Sequence, residues 1–222
     1  MPNWCSIEFT VQGTPEELEK FKVGMEGTEE AEDGTVERSA FDFNKLILRP
    51  TELDIESGTY GLTGYDVFYG PGRTMQYPWV AEKGITTVEQ LRDYLNEENP
   101  RYYEMGTLYH QNIQKYGVPT WYEWSIQNWG VKWNPSEVYL EELDNGFLRY
   151  CFSTAWDFPE PIFHALAEKY PNVFVEGTMD EESGGFHGEF YLQHGSCDVD
   201  YNEGPRHSEE DDGDDEDDEP VE

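Results

Sequence analysis

Residues 3–13 alternate between apolar and polar side chains, which is the pattern of a β-strand with one buried face. The apolar positions of this strand are Cys5, Ile7, Phe9 and Val11. A capping box with proline at the first helical position follows at once in Thr14-Pro15-Glu16-Glu17. Helical spacing then relates Leu18, Phe21 and Met25. The chain therefore opens with a strand and a helix that share one core.

The C-terminal half returns to sheet and helix patterns in a fixed order. Two strand-like runs, 137–142 and 147–154, flank the dipeptide Asn145-Gly146, which is the strongest short hairpin signal. A helix over 158–170 and strands over 173–178 and 186–193 follow. The order strand, helix, strand pair, helix, strand predicts an α+β, ferredoxin-like fold, in which helices cover one face of an antiparallel sheet.

One domain over residues 1–200 accounts for this pattern, with an acidic, disordered tail over 201–222. Its predicted core is the set of inward positions Ile7, Phe9, Val11, Leu18, Phe21, Leu148, Tyr150, Phe152, Ile162, Leu166, Val173, Val175, Phe190 and Leu192.

The middle of the chain predicts an insertion into this domain at about 51–134. Its first part, 51–85, combines many Gly, Pro and Ser residues with aromatic side chains and predicts irregular structure. A helix capped by Thr87 and a second over 101–116 follow. Before the insertion, residues 27–39 predict a solvated loop, and 40–48 predict a strand.

Acidic residues far outnumber basic ones, at 48 against 14, which gives a formal net charge of −34. Residues 1–207 alone keep 37 acids against 14 bases, so the charge is not confined to the tail. Like charges oppose compaction, and a solubilising surface is the plainest use of them. Carboxylates in an ordered array could instead imitate DNA, which carries about one charge per 1.7 Å of its axis. This density favours a basic, nucleic-acid-binding protein as the partner.

The acidic positions predicted to meet that partner lie in the tail and in the loop before the last strand. They are Glu209, Glu210, Asp211, Asp212, Asp214, Asp215, Asp180, Glu181 and Glu182. Weak calcium binding by the tail is a further possibility for the same carboxylates.

Neither a metal site nor a catalytic site has a recognisable pattern in this chain. His187, His194 and Cys197 supply only three ligands, at a spacing that matches no compact zinc motif. A Gly-x-Ser-x-Gly motif is absent, and Cys5 and Cys151 are predicted to face inward as inert thiols. We therefore expect no metal, no cofactor and no enzyme activity. The sequence contains no apolar run long enough for a membrane helix, and widely spaced cysteines favour a cytoplasmic protein.

Two tryptophan-rich stretches resemble the YubB-type ferredoxin-like family. They are the opening Met1-Pro2-Asn3-Trp4-Cys5-Ser6-Ile7 and the centre, in which Trp121-Tyr122-Glu123-Trp124 precedes Asn128-Trp129-Gly130-Val131-Lys132-Trp133-Asn134. The resemblance covers residues 1 to about 195. It implies a ferredoxin-like fold and an accessory protein of phages or plasmids, which would act in the host cytoplasm, and it implies no reaction.

We therefore expect an accessory protein that inhibits a nucleic-acid-binding host or defence protein. It would do so by presenting a DNA-mimicking polyanionic surface, and it would bind neither nucleic acid nor membrane itself. The alternative is a binding module that recognises nucleic acid or protein through its aromatic motif. That motif consists of Trp4, Trp121, Trp124, Trp129, Lys132 and Trp133.

Overall fold

The computed structural model describes residues 3–30, 36–143 and 146–204. The strands in these ranges are β1 (Trp4–Gln12), β2 (Gly27–Glu30), β3 (Val36–Ser39), β4 (Ser136–Glu142), β5 (Leu148–Ala155), β6 (Phe174–Glu181), β7 (Phe186–Gln193) and β8 (Ser196–Glu203). The helices are α1 (Pro15–Met25), α2 (Thr59–Phe68), α3 (Pro78–Glu82), α4 (Val88–Glu98), α5 (Arg101–Tyr116), α6 (Trp121–Trp129) and α7 (Glu160–Lys169).

Six of these strands form one antiparallel sheet in the order β4-β5-β1-β6-β7-β8. The central strand β1 pairs with β5 on one side and β6 on the other. The sequence β1-α1-β4-β5-α7-β6 reproduces the ferredoxin-like plan, and β7 and β8 widen its sheet. The predicted fold class is therefore confirmed.

The main core lies between this sheet and the helices, and Phe9 is at its centre. The Phe9 ring lies 5.2 Å from the ring of Tyr150 and 5.5 Å from that of Phe163, measured between centroids. Every residue of the predicted core is buried. Strand alternation was sufficient for the sheet residues, because inward and outward positions of a strand differ by one residue, and helical spacing was sufficient for those of α1 and α7.

The first helix begins as its capping box predicts. The Thr14 hydroxyl accepts the Glu17 amide at 3.4 Å, and the Glu17 carboxylate accepts the Thr14 amide at 2.8 Å. These hydrogen bonds from Thr14 lower the pKa of Glu17. The box satisfies amide groups that the first turn of a helix leaves unpaired.

Two predictions for the segment after α1 are wrong. The predicted loop over 27–39 contains the hairpin strands β2 and β3. The predicted strand over 40–48 instead contains a 3₁₀ turn, Phe43–Lys45, because the Asp42 carboxylate accepts the Asn44 amide at 2.9 Å and starts the turn. A short polar side chain that bonds to the backbone two residues later competes with strand pairing.

The insertion is more helical than predicted, since it contains α2 to α6 within the described ranges. Residues 51–85 were expected to be irregular, but Thr59–Phe68 forms α2. The glycines that argued against a helix allow α2 to pack closely on α5: a Cβ atom on Gly64 would clash with the Tyr102 carbonyl oxygen. A second apolar cluster formed by Val67, Val80, Leu91 and Leu95 joins α2 to α3 and α4.

The last strand continues three residues into the segment predicted as tail, because β8 ends at Glu203. Gly204 also belongs to the folded part, since its amide bonds to the Gly185 carbonyl at 3.2 Å and its carbonyl bonds to the His187 ring at 2.9 Å. The turn residue Asn145 and the rest of the predicted tail lie outside the described residues.

Deletion of residues 205–222 should leave the melting temperature unchanged or slightly higher. The deleted segment has too few apolar side chains to offset the entropy of ordering, and its removal lowers the repulsion between like charges. Thermal denaturation of the full-length and shortened proteins, followed by circular dichroism at low salt, measures the difference. A lower melting temperature for the shortened protein would contradict a dispensable tail.

Candidate functional site

One face of the six-stranded sheet is packed against the core, and the opposite face carries most of the sheet's charge. The alternation that directs Phe9, Tyr150 and Phe190 inward directs their neighbours outward. The pairing register places seven carboxylates on this outer side: Glu8, Glu141, Glu176, Asp180, Glu189, Asp198 and Asp200. We call this surface the acidic face.

Among the residues that the structure describes, Arg149 is the one guanidinium that the strand pattern places on the acidic face. It lies 2.6 Å from Glu8 and 3.7 Å from Glu141, measured between nitrogen and oxygen. Within the described ranges, the other five carboxylates of the face form no ion pair. No cation among the described residues balances their charges, so solvent ions can do so, and a cationic partner would replace those ions.

The spacing of the carboxylates follows from sheet geometry. Strands lie about 4.8 Å apart and alternate residues about 6.8 Å apart, so six strands span roughly 24 Å. The seven carboxylates are spread in two dimensions over this width, and the Glu189 and Asp200 positions, which are directly paired, lie one strand spacing apart. The backbone positions of the array are fixed by strand pairing, on both sides in β1, β6 and β7 and on one side in the edge strands β4 and β8.

Some of the face's carboxylates are already held in place by neighbouring side chains. Glu176 accepts a hydrogen bond from the Gln12 amide at 3.1 Å, and Glu189 accepts one from the Tyr191 hydroxyl at 2.8 Å. These bonds restrict the rotamers of the two carboxylates without removing their charge. A shallow depression of about 250 Å³ lies between them, above Gly177.

Cys151 lies on the acidic face, which corrects the prediction that it faces inward. Because Tyr150 and Phe152 fill the core, the intervening residue of β5 must point outward, where it pairs with Glu8. Burial, followed by the Glu8 charge, raises the pKa of the Cys151 thiol. Cys5 does face the core, and burial raises the pKa of its thiol to about 12.

The three acids predicted in the loop before β7 have different roles. Asp180 belongs to β6 and to the acidic face. Glu181 is buried and accepts bonds from the Ser183 hydroxyl at 2.5 Å and the Gly185 amide at 2.9 Å, which lower its pKa. It therefore stabilises the loop and does not suit the predicted partner-binding role. Glu182 is exposed, and its carboxylate accepts the Trp4 amide at 2.9 Å.

The six tail acids predicted to bind a partner lie outside the described residues. They are Glu209, Glu210, Asp211, Asp212, Asp214 and Asp215, and their role stays a prediction.

The aromatic motif divides into a buried part and a more exposed part. Trp124 and Trp129 are buried, and the Trp129 indole donates a hydrogen bond to the Ile47 carbonyl at 2.9 Å. Asn134 accepts the Phe43 amide at 2.9 Å. These contacts brace the 3₁₀ segment against α6, so this part of the motif is structural. The cation of Arg49 lies over the Trp129 ring at 5.2 Å.

The other part of the motif includes the exposed Trp133 and the half-buried Trp4 and Lys132, and it is joined by Trp156 from outside the motif. We call these four residues the tryptophan cluster. Trp133 stacks on Trp156 at 6.1 Å and contacts Trp4 at 6.5 Å, measured between ring centroids. The Lys132 ammonium lies 4.2 Å from the Trp133 centroid and 5.5 Å from that of Trp156. The rings of Trp121 and Tyr122 also lie within 6.0 Å of this ammonium, so Lys132 is surrounded by aromatic faces.

Sequence reasoning missed Trp156, which follows β5 directly. Its backbone has φ +69°, a left-handed conformation that is strained for a bulky residue, and the residue is 47% exposed. The amide of Trp156 donates to the Asn3 carbonyl at 2.8 Å and fixes this turn beside β1. The signal in the sequence was a tryptophan placed just after a predicted strand, where no core position required it.

The three residues considered as metal ligands are not gathered at one point. His187 lies on the outer side of β7 and Cys197 on the inner side of β8, so the sheet separates them. In the ranges described, no group of three or more His, Cys, Asp or Glu side chains is placed to hold a metal ion. No helix in those ranges is long and apolar enough to cross a membrane.

Comparison with known proteins bears on the fold. Residues 128–219 match the family model described as the ferredoxin-like domain in Api92-like protein. This segment is similar to that domain. A solved structure, the protein api92 from Yersinia pseudotuberculosis, is 13% identical and has a TM-score of 0.41, with 94% of this chain and 100% of that chain covered. No curated protein matches the chain.

Proposed function

We propose that this protein binds the nucleic-acid-binding surface of a basic host or defence protein and inhibits it by occupying that surface in place of DNA. The observation that supports the proposal is the acidic face, in which carboxylates from β1, β4, β6, β7 and β8 lie on one side of a hydrogen-bonded sheet. Many other acidic side chains lie elsewhere on the protein, so the proposal depends on the local excess of this face, which has seven carboxylates and the guanidinium of Arg149.

Charge also decides against direct binding of nucleic acid by this face. A polyanion approaching it meets at least five carboxylates that no described cation neutralises, and Arg149 is already paired. Basic grooves that hold DNA phosphates have the complementary charge. The resemblance of Asn3-Trp4-Cys5 to the YubB-type opening supports an accessory role in phages or plasmids, where blocking such a host protein is useful.

The proposal is tested by capture and competition. The immobilised protein is exposed to a host lysate at low salt, and bound proteins are eluted by raising the salt. Each eluted protein is then purified and loaded with labelled duplex DNA. The proposal requires that the acidic protein, added in solution, displaces this DNA from the captured protein. Displacement should weaken steeply as the salt concentration increases. It is wrong if displacement is absent, or if the captured proteins have no nucleic-acid-binding surface.

Cys151 should report whether the acidic face is the surface that is covered. We expect an alkylating reagent to modify Cys151 before Cys5 or Cys197, because the latter two are buried and each has a pKa raised to about 12. Bound basic protein should slow alkylation of Cys151 by excluding the reagent. Mass spectrometry after timed alkylation measures each site. Equal rates at Cys151 with and without partner would place the contact elsewhere.

The tryptophan cluster supports a second candidate, a binding module for nucleic acid or protein. The favouring observation is that Trp133 and Trp156 remain 39% and 47% exposed, although large aromatic side chains are normally buried. The lysate experiment separates the two candidates. If the purified protein retains single-stranded nucleic acid and captures no DNA-binding protein, the result favours a binding module that uses the tryptophan cluster.

A further inference from the structure

One row of residues across the outer side of the sheet carries three serines side by side. Ser6 of β1 pairs with Ser153 of β5, which in turn pairs with Ser136 of β4. Because serine side chains are short, a cavity of about 290 Å³ opens above the row. Trp4, Glu137 and Glu182 complete its lining. We call this cavity the serine pocket; it adjoins the acidic face.

The hydroxyl groups of the serine pocket are free to meet a ligand. Among the side-chain hydrogen bonds of the described ranges, none involves the Oγ atom of Ser6, Ser136 or Ser153. Each hydroxyl can donate one hydrogen bond and accept others. Three unpaired hydroxyls in one row therefore offer acceptors to a group that carries several N–H donors.

An aromatic side chain forms one wall of the serine pocket. The Trp4 indole contacts Trp133 at 6.5 Å, and Trp133 stacks on Trp156 at 6.1 Å. The amide of Trp4 is bonded to Glu182, which fixes the backbone beneath the ring. This wall is held by further rings, and its indole offers a face on which a planar cation can stack.

The carboxylates of Glu137 and Glu182 give the serine pocket its negative charge. Glu182 uses Oε1 to accept the Trp4 amide, and its other oxygen has no hydrogen-bond partner among the described residues. Glu137 lies where the pairing of β4 with β5 is irregular and has φ +56°. Neither carboxylate pairs with a described cation, and Lys132 is not part of the pocket lining.

We infer that the serine pocket receives one arginine side chain of the basic partner, an inference that rests on the proposed function. A guanidinium is planar, stacks on indole rings and has five N–H donors for carboxylate and hydroxyl oxygens. An ammonium cannot stack in this way, so lysine is the poorer ligand. The cavity lies just below the roughly 300–1,000 Å³ of small-molecule sites, which suits a side chain better than a free cofactor.

The test uses Nα-acetyl-arginine amide and Nα-acetyl-lysine amide as probes, with backbone amide shifts recorded by NMR. We expect saturable shifts at Ser6, Ser136 and Ser153 with the arginine probe, and about fivefold weaker binding of the lysine probe. Ser153→Ile should abolish the shifts by filling the pocket without changing any charge. The matched control is Thr178→Ile, which adds comparable apolar bulk to the same side of the sheet but outside the pocket.

A second variant keeps the result interpretable if Ser153→Ile lowers stability. Glu137→Gln combined with E182Q preserves shape and the acceptor for Trp4, and it should weaken the arginine probe about tenfold. The inference that the serine pocket binds arginine is wrong if the two probes bind with equal affinity. It is also wrong if the arginine probe still shifts the amide signals in Ser153→Ile. Either result leaves DNA displacement by the acidic face unaffected. If the protein binds arginine selectively but displaces no DNA, the arginine site stands and the proposed function is wrong.

Discussion

Replacing four carboxylates of the acidic face should weaken displacement of DNA from a basic partner by about a hundredfold. The variant is Glu176→Gln, Glu189→Gln, Asp198→Asn and Asp200→Asn. Each exposed charge contributes up to about 1 kcal/mol to binding at low salt, so four contribute about 3 kcal/mol. The amide replacements keep acceptors for Gln12 and Tyr191, so the fold should not change. Competition against labelled DNA over a range of salt concentrations measures the effect.

A charge-matched control separates the position of the charges from their number. Glu82, Asp93, Glu97 and Glu98 are exposed on α3 and α4 and form no ion pair with other described residues. Neutralising these four gives the same net charge and should change competition less than threefold, because the partner does not contact them. If both variants lose activity equally, net charge is responsible and an ordered mimic is not.

The salt dependence gives an independent reading of the same variant. Association between charged surfaces weakens as salt rises, and the slope reflects the number of ions released. The variant of the acidic face should therefore have a shallower slope than the natural protein. A lower affinity with an unchanged slope would mean that the substitutions altered shape, and the array of β6 to β8 would not be the binding surface.

The sheet could be predicted from the sequence because its signals are local. Alternation marks β1 and β5, and the capping box marks the start of α1. In contrast, the strand β8 was missed because its outward residues Asp198 and Asp200 are also what an acidic, unfolded segment contains. The inward position of Cys197 becomes recognisable as part of a strand only when its pairing with β7 is known.

The candidate surfaces were predictable only in part. Net charge indicated a polyanionic surface, but the seven carboxylates that form it come from five strands and are brought together by register. A one-residue shift in β6 would send Asp180 to the core. The aromatic motif was visible as clustered tryptophans, yet composition cannot distinguish Trp129, which is buried, from Trp133, which is exposed.

The contact between α2 and α5 is where the sequence was most misleading, and it carries the largest expected effect on stability. Glycine lowers helix propensity, so Gly61 and Gly64 argued for irregular structure. The absence of side chains at these positions is what permits the contact. Gly64 and Gly106 allow the two helix backbones to approach closely, and Gly61 accommodates the Tyr109 ring. Close packing over this contact compensates for the lower intrinsic propensity.

Gly106→Ala should therefore lower the free energy of unfolding by about 3 kcal/mol, although the same change in an open helix is stabilising. Its methyl group would overlap backbone atoms of Gly64 and Tyr65, which cannot turn aside as a side chain can. The expected fall in melting temperature is about 8 °C. Gly58→Ala is the control, because its nearest neighbour is the flexible Glu56 carboxylate at 3.4 Å. If thermal denaturation shows Gly106→Ala to be as stable as this control, the helices do not meet at these glycines.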